Sequence, residues 1–203
     1  MPGKNVVKRY GEGEFYHVYN RGVNKQVIFN DKEDYAVFMN LLKRYLDDQV
    51  SIDNRGNVYE NYSDRVELLA FCLMPNHFHM LLHLKEGTDG ITELMRKVSG
   101  SYTTYYNKRH NRVGHLFQGV FKASRISDDS YLSHISRYIH LNPKNHLSWS
   151  YSSYPLFIGS ATAGWVKPEQ AMVGMGYEEY KKFVEDYVDY KKTLDDIKHQ
   201  LAN

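Results

Sequence analysis

The stretch Met74-Pro75-Asn76-His77-Phe78-His79-Met80-Leu81-Leu82-His83-Leu84 constrains the fold more than any other part of the chain. Proline has no amide hydrogen to give to a central ladder, so the apolar runs 66–73 and 77–84 cannot be one long strand. They read as two arms of an antiparallel hairpin closed at Pro75-Asn76. Successive side chains on a strand point to opposite faces. His77, His79, Leu81 and His83 therefore share one face, and Phe78, Met80, Leu82 and Leu84 the other. The second row is apolar throughout and needs a helix layer to cover it. The first row brings two imidazoles side by side at the start of a strand, next to a turn, where a cleft can reach them. Such a pair can hold a divalent metal ion, but an isolated His-x-His is more often a hydrogen-bonded core pair, and other residues have to decide.

Upstream, Phe15-Tyr16-His17-Val18-Tyr19-Asn20 alternates and is rich in aromatic and β-branched residues, so it reads as a first strand, followed by a turn at 21–25. Asp31 is placed to cap a helix whose apolar positions, from Tyr35 and Phe38 to Tyr45 and Leu46, recur at helical spacing to about residue 48. Residues 51–64 are polar and turn-rich, a connecting loop or exposed hairpin insert. A second helix over 91–109 carries Leu94, Met95, Val98, Tyr102, Tyr105 and Tyr106 on its stripe, and 116–123 reads as a fourth strand with a bulge or close approach at Gly119. Ser127 is a candidate cap for a third helix, with Leu132, Ile135 and Ile139 buried and Pro143 ending it. Tyr138 and Asn142 lie one turn apart on that helix, facing the edge of the sheet. A final helix or pair is expected over 177–201. The order β-α-ββ-α-β predicts an α+β fold: a ferredoxin-like antiparallel sheet with helices packed on one face, plus a C-terminal helical extension. The expected organisation is one domain over 1–160 and the extension over 161–203.

Charge distribution says more than the net value of +2. Between Leu94 and Ser127 there is no acidic residue, while Arg96, Lys97, Lys108, Arg109, Arg112, Lys122 and Arg125 are basic and Tyr102, Tyr105, Tyr106, Phe117 and Phe121 are interleaved with them. Cations beside flat aromatic faces suit a single-stranded polyanion with splayed bases. A solvated basic helix with inward tyrosines gives the same pattern, and that alternative holds for about half of these charges. The 169–203 tail has eight acidic and five basic side chains, which makes it a poor grip for nucleic acid. The single cysteine, Cys72, sits in an apolar run and reads as a small buried hydrophobe. With no long apolar segment and no signal-peptide core at the N-terminus, the expectation is a soluble, cytoplasmic protein with no membrane partner.

Five motifs, in order, resemble the IS200-like single-tyrosine transposases, and their REP-associated branch in particular. They are Tyr16-His17-Val18-Tyr19-Asn20-Arg21-Gly22, Met74-Pro75-Asn76-His77-Phe78-His79, Gly114-His115-Leu116-Phe117-Gln118-Gly119, Arg137-Tyr138-Ile139-His140-Leu141-Asn142-Pro143, and Trp149 with Ser152-Ser153-Tyr154. The resemblance implies a His-hydrophobe-His nuclease and strand transferase acting on single-stranded DNA next to a hairpin. It assigns His77 and His79 to the metal, with Asn142 as third ligand and His134 a lesser candidate, and Tyr138 as the nucleophile. It implies Mg²⁺ or Mn²⁺, and DNA contacts from Arg21, Gln118 and the basic residues Arg96, Lys97, Lys108, Arg109, Arg112, Lys122 and Arg125. It leaves both a monomer and a homodimer open. Spacing alone would single out none of the eighteen tyrosines. Histidine ligation further predicts that activity falls below about pH 6, where ordinary imidazoles take up protons. The alternative from a different class is a catalytically silent nucleic-acid-binding module on the same sheet.

Overall fold

A computed structural model describes residues 9–49 and 51–186. Four strands, β1 (Glu14–Arg21), β2 (Val66–Met74), β3 (His77–Leu84) and β4 (Lys122–Ile126), form one sheet in the order β2-β3-β1-β4, with every neighbouring pair antiparallel. Helices α1 (Lys32–Leu46) and α2 (Gly90–Arg109) complete the β-α-ββ-α-β order, so the architecture is the expected ferredoxin-like one. Asp31 caps α1 as its sequence position suggests, accepting from the amides of Glu33 and Asp34. Beneath α1 and α2 lies one core, where Phe38, Leu42, Leu94, Val98 and Tyr102 meet the apolar row Phe78, Met80, Leu82 and Leu84 of β3.

Helices are not confined to that face. α3 (Leu132–His140) crosses the opposite, histidine-bearing face, followed by α4 (Tyr154–Phe157), α5 (Glu169–Met172) and α6 (Tyr177–Glu185). The sequence reading of one covered face fails because β2 is apolar on both sides. A bulge between Leu68 and Ala70 adds to this surface, and Leu69, Ala70, Cys72, Leu81, Phe15 and Ile126 build a second core with Leu132, Ile135 and Ile139 of α3 and Tyr180 and Val184 of α6. Cys72 is fully buried there. The free edge of β2 is covered by residues 149–153: Leu73 donates its amide to the Tyr151 carbonyl (2.8 Å), and the Trp149 indole donates to the Leu73 carbonyl (3.0 Å).

Two boundaries move. The fourth strand begins at Lys122 instead of residue 116, because Gly114 and Gly119 take positive φ and turn 114–121 into a loop that plugs Leu116, Phe117 and Phe121 into the first core. Ser127 is not a cap; Asp128 caps a short 3₁₀ turn at Asp129–Tyr131 that leads into α3. The helix expected over 177–201 is seen as Tyr177–Glu185, and the remainder of that expectation lies outside the described residues. No helix among the described residues is long and apolar enough to cross a membrane.

Candidate active site

The register of the sheet sets the site. Tyr19 lies opposite His79, Arg21 opposite His77 and Lys122 opposite Tyr19, so the ends of three strands converge on one face. Gly22 lets the following turn fold tightly against Pro75-Asn76; a side chain there would meet the Gln26 carbonyl at 2.2 Å. The two turns are tied by Gly22 N–H to the Asn76 carbonyl (2.9 Å) and Ile28 N–H to the Pro75 carbonyl (2.7 Å). A cleft of about 460 Å³ opens at this end, lined by Tyr19, Arg21, Lys25, Asn76, His77, His79, Gln118 and Lys122.

α3 brings Tyr138 over the same histidines. Its ring stands edge-on to His79, with centroids 5.6 Å apart. Asn142 lies just past the end of α3, not within it, because the residue before a proline is pushed out of helical geometry, and Pro143 follows. From there it reaches both partners. Burial raises the Tyr138 pKa, and a hydrogen bond with Asn142 pulls it back. Asn142 turns its oxygen to His77, with Oδ1 3.0 Å from Nε2.

The tautomer of His77 follows from its other neighbour. Asn76 donates its amide N–H to the Lys25 carbonyl (3.2 Å), so its Oδ1 accepts Nδ1–H of His77 at 2.6 Å. A neutral imidazole has one N–H, so Nε2 presents a lone pair to the Asn142 oxygen. Two lone pairs 3.0 Å apart repel unless they share a cation. A divalent metal ion between the two atoms would remove that repulsion, so this imidazole–amide pair fits a metal ion. Burial lowers the pKa of His77 and, together with its neighbours His17 and His77, takes that of His79 well below the ordinary value. Both rings therefore stay neutral in acid that would charge an exposed histidine.

His134 faces away from this cluster. It lies 3.2 Å from the Arg137 guanidinium and edge-on to Phe183 of α6. The basic residues divide as well. Arg21 and Lys122 line the cleft, with Arg21 Nε donating to Gln118 Oε1 at 2.5 Å. Arg109 instead pairs with Asp31 (2.8 Å), Glu33 (3.0 Å) and the fully buried Asp34 (2.7 Å). Lys97 pairs with Glu60 (2.9 Å), Arg125 with Glu14, and Arg112 donates to Asn107 and Gln26. Arg96 and Lys108 are exposed and form no part of the cleft lining. Five lining residues went unassigned from sequence: Tyr19, Asn20, Lys25, Asn76 and Phe78. Tyr19 had a readable signal, since its parity on β1 places it on the histidine face; Lys25 had none, because its place depends on two turns meeting.

Fold and site together define a ferredoxin-like domain that gathers two histidines, an amide and a tyrosine at the mouth of a basic cleft. Residues 43–142, just under half of the chain, match the family model described as Transposase IS200 like, so this part of the chain is similar to the IS200-like transposases. A Haemophilus influenzae protein provisionally named a REP-associated tyrosine transposase is 27% identical over 103 aligned residues, which cover 43% of this chain and 58% of that relative. The match thus spans less than two thirds of the relative's length. Among solved structures, a REP-associated tyrosine transposase bound to a REP hairpin shares the fold, with a TM-score of 0.56 at 16% identity over 82% of this chain and 92% of that one.

Proposed function

We propose that this chain is a metal-dependent single-stranded DNA endonuclease and strand transferase that forms a 5′-phosphotyrosine intermediate at hairpin-flanked sites. The observation that carries the reading is the meeting of Tyr138, Asn142, His77 and His79 within one chain, with the Asn142 amide touching both the phenol and His77. His77, His79 and Asn142 would hold Mg²⁺ or Mn²⁺, which supplies charge neutralisation and alignment for the scissile phosphate. Arg21, Lys25 and Lys122 would position the backbone at the cleft mouth. Tyr138 Oη attacks phosphorus, the bond to the 3′-oxygen breaks, and the hydrogen lost by the phenol is balanced by one gained at the new 3′-hydroxyl. No water is consumed, so reversal with another 3′ end joins strands. The hairpin carried by the solved relative motivates the substrate class. Residues 1–160 would carry this activity, and 161–203 would extend the domain.

The test is a denaturing gel with 5′- and 3′-labelled hairpin DNA and Mn²⁺, with wild type beside Tyr138→Phe. The expected result is a protein-linked 5′ end that disappears in the variant. Cleavage that survives in the variant would indicate a water nucleophile, and unchanged binding with no adduct in either protein would indicate a silent binding module.

A further inference from the structure

β1 brings a third imidazole to this face. His17 is 1% exposed and packs beneath His79, with its Nε2 2.9 Å from His79 Nδ1. Its ring is nearly parallel to those of His79 (centroids 5.0 Å, 9°) and Tyr19 (5.0 Å, 20°), and Tyr138 stands edge-on to it at 6.0 Å. The stacking fixes the ring plane and so the direction of the nitrogen pair. The other nitrogen of His17, Nδ1, is buried without a hydrogen-bond partner.

We propose that His17 is the positioning residue for His79: its Nε2 accepts Nδ1–H of His79, which leaves the His79 Nε2 lone pair directed into the cleft. The inference rests on the metal reading above and extends it by one residue. Two nitrogens at hydrogen-bond distance share one hydrogen, so the tautomer of either ring determines that of the other. If His79 is to ligate through Nε2, its hydrogen must sit on Nδ1, and His17 Nε2 is the acceptor placed to receive it. The orphaned Nδ1 of His17 supports the assignment. An apolar side chain would fill position 17 beside Phe15 and Leu81 without burying an unpaired polar atom, so packing does not call for histidine here. What histidine adds is the bond to His79.

The test uses full-length His17→Leu and His17→Gln. Leucine removes the acceptor, and glutamine returns an amide oxygen near the position of Nε2. Calorimetric titration with Mn²⁺ near neutral pH is expected to show His17→Leu weakened by about 10–100-fold and His17→Gln largely restored. The metal-free melting temperature of the leucine variant should equal or exceed that of wild type, a combination that a merely structural role would not produce. Long-range ¹H–¹⁵N spectra of the metal-free wild type should place the His79 hydrogen on Nδ1. Equal Mn²⁺ affinity in wild type and His17→Leu, or a His79 hydrogen on Nε2, would overturn the proposal. Absence of Mn²⁺ binding by wild type would overturn the metal reading instead, and the spectrum would then decide the His17–His79 pairing alone.

Discussion

Acid should unfold this protein through histidines that cannot charge in place, and His140 is the clearest case. It is fully buried on α3, with Nδ1 2.9 Å from the Tyr180 hydroxyl and Nε2 2.8 Å from that of Ser153. Burial, helped by nearby His146, lowers its pKa from 6.5 to about 3. Between these values the unfolded chain binds a proton that the native state refuses, so stability rises with pH and is lost as pH falls below 6.5. One proton is worth a little over 1 kcal/mol per pH unit, so acidification by two units costs about 3 kcal/mol at this site. His17, also lowered to about 3 by burial, adds a similar loss. Together they approach the whole stability of an ordinary domain, about 5–15 kcal/mol. Urea unfolding at a series of pH values would measure the slope for wild type and His140→Gln. The variant starts from a different stability, but its slope should be shallower by about one proton over this range. Equal slopes would refute the reasoning, because His140 would then be titrating in the native state.

Three further outcomes follow from the site. With Arg21, Lys25 and Lys122 as the cations at the cleft, the affinity for single-stranded DNA should fall with salt with a log–log slope of about −2, against about −5 if all seven basic residues between 94 and 127 took part. Arg21→Gln should make that slope shallower by about 0.7, whereas Arg109→Gln should lower the melting temperature and leave the slope unchanged. Because burial lowers the pKa values of His77 and His79, Mn²⁺ affinity should persist below the ordinary histidine range, and a steep loss beginning at about pH 6.5 would contradict their burial. Since one chain holds both halves of the site, mixing Tyr138→Phe with His77→Ala protein should restore no cleavage; recovery would mean that the tyrosine serves the histidines of a second copy.

What could be read from sequence was what local patterns encode. The alternation of 77–84 fixed the faces of β3, the Asp31 cap opened α1, and the stripe Leu132, Ile135 and Ile139 marked the buried side of α3. What escaped depended on residues far apart in the chain. The one-signed stretch from Leu94 to Ser127 is not one-signed in space, because Asp31, Glu33 and Asp34 come to Arg109, Glu60 to Lys97 and Glu14 to Arg125. His17 stood in a recognised motif without a role until the β1–β3 register laid it under His79. The second core was hidden because a strand apolar on both faces looks, one residue at a time, like any buried strand.

α3 is bolted from behind. Tyr180 of α6 bonds Ser136 (2.8 Å) and His140 (2.9 Å), and Arg137 donates to the Phe183 carbonyl (2.7 Å). A tyrosine mounted on such a helix has no arm to swing. In a chain working as proposed, the captured 5′ end stays parked beside the histidines for as long as the covalent bond lasts. The strand that will be joined to it has to travel, and the lifetime of the parked end is then set by how readily the DNA can fold back into the cleft.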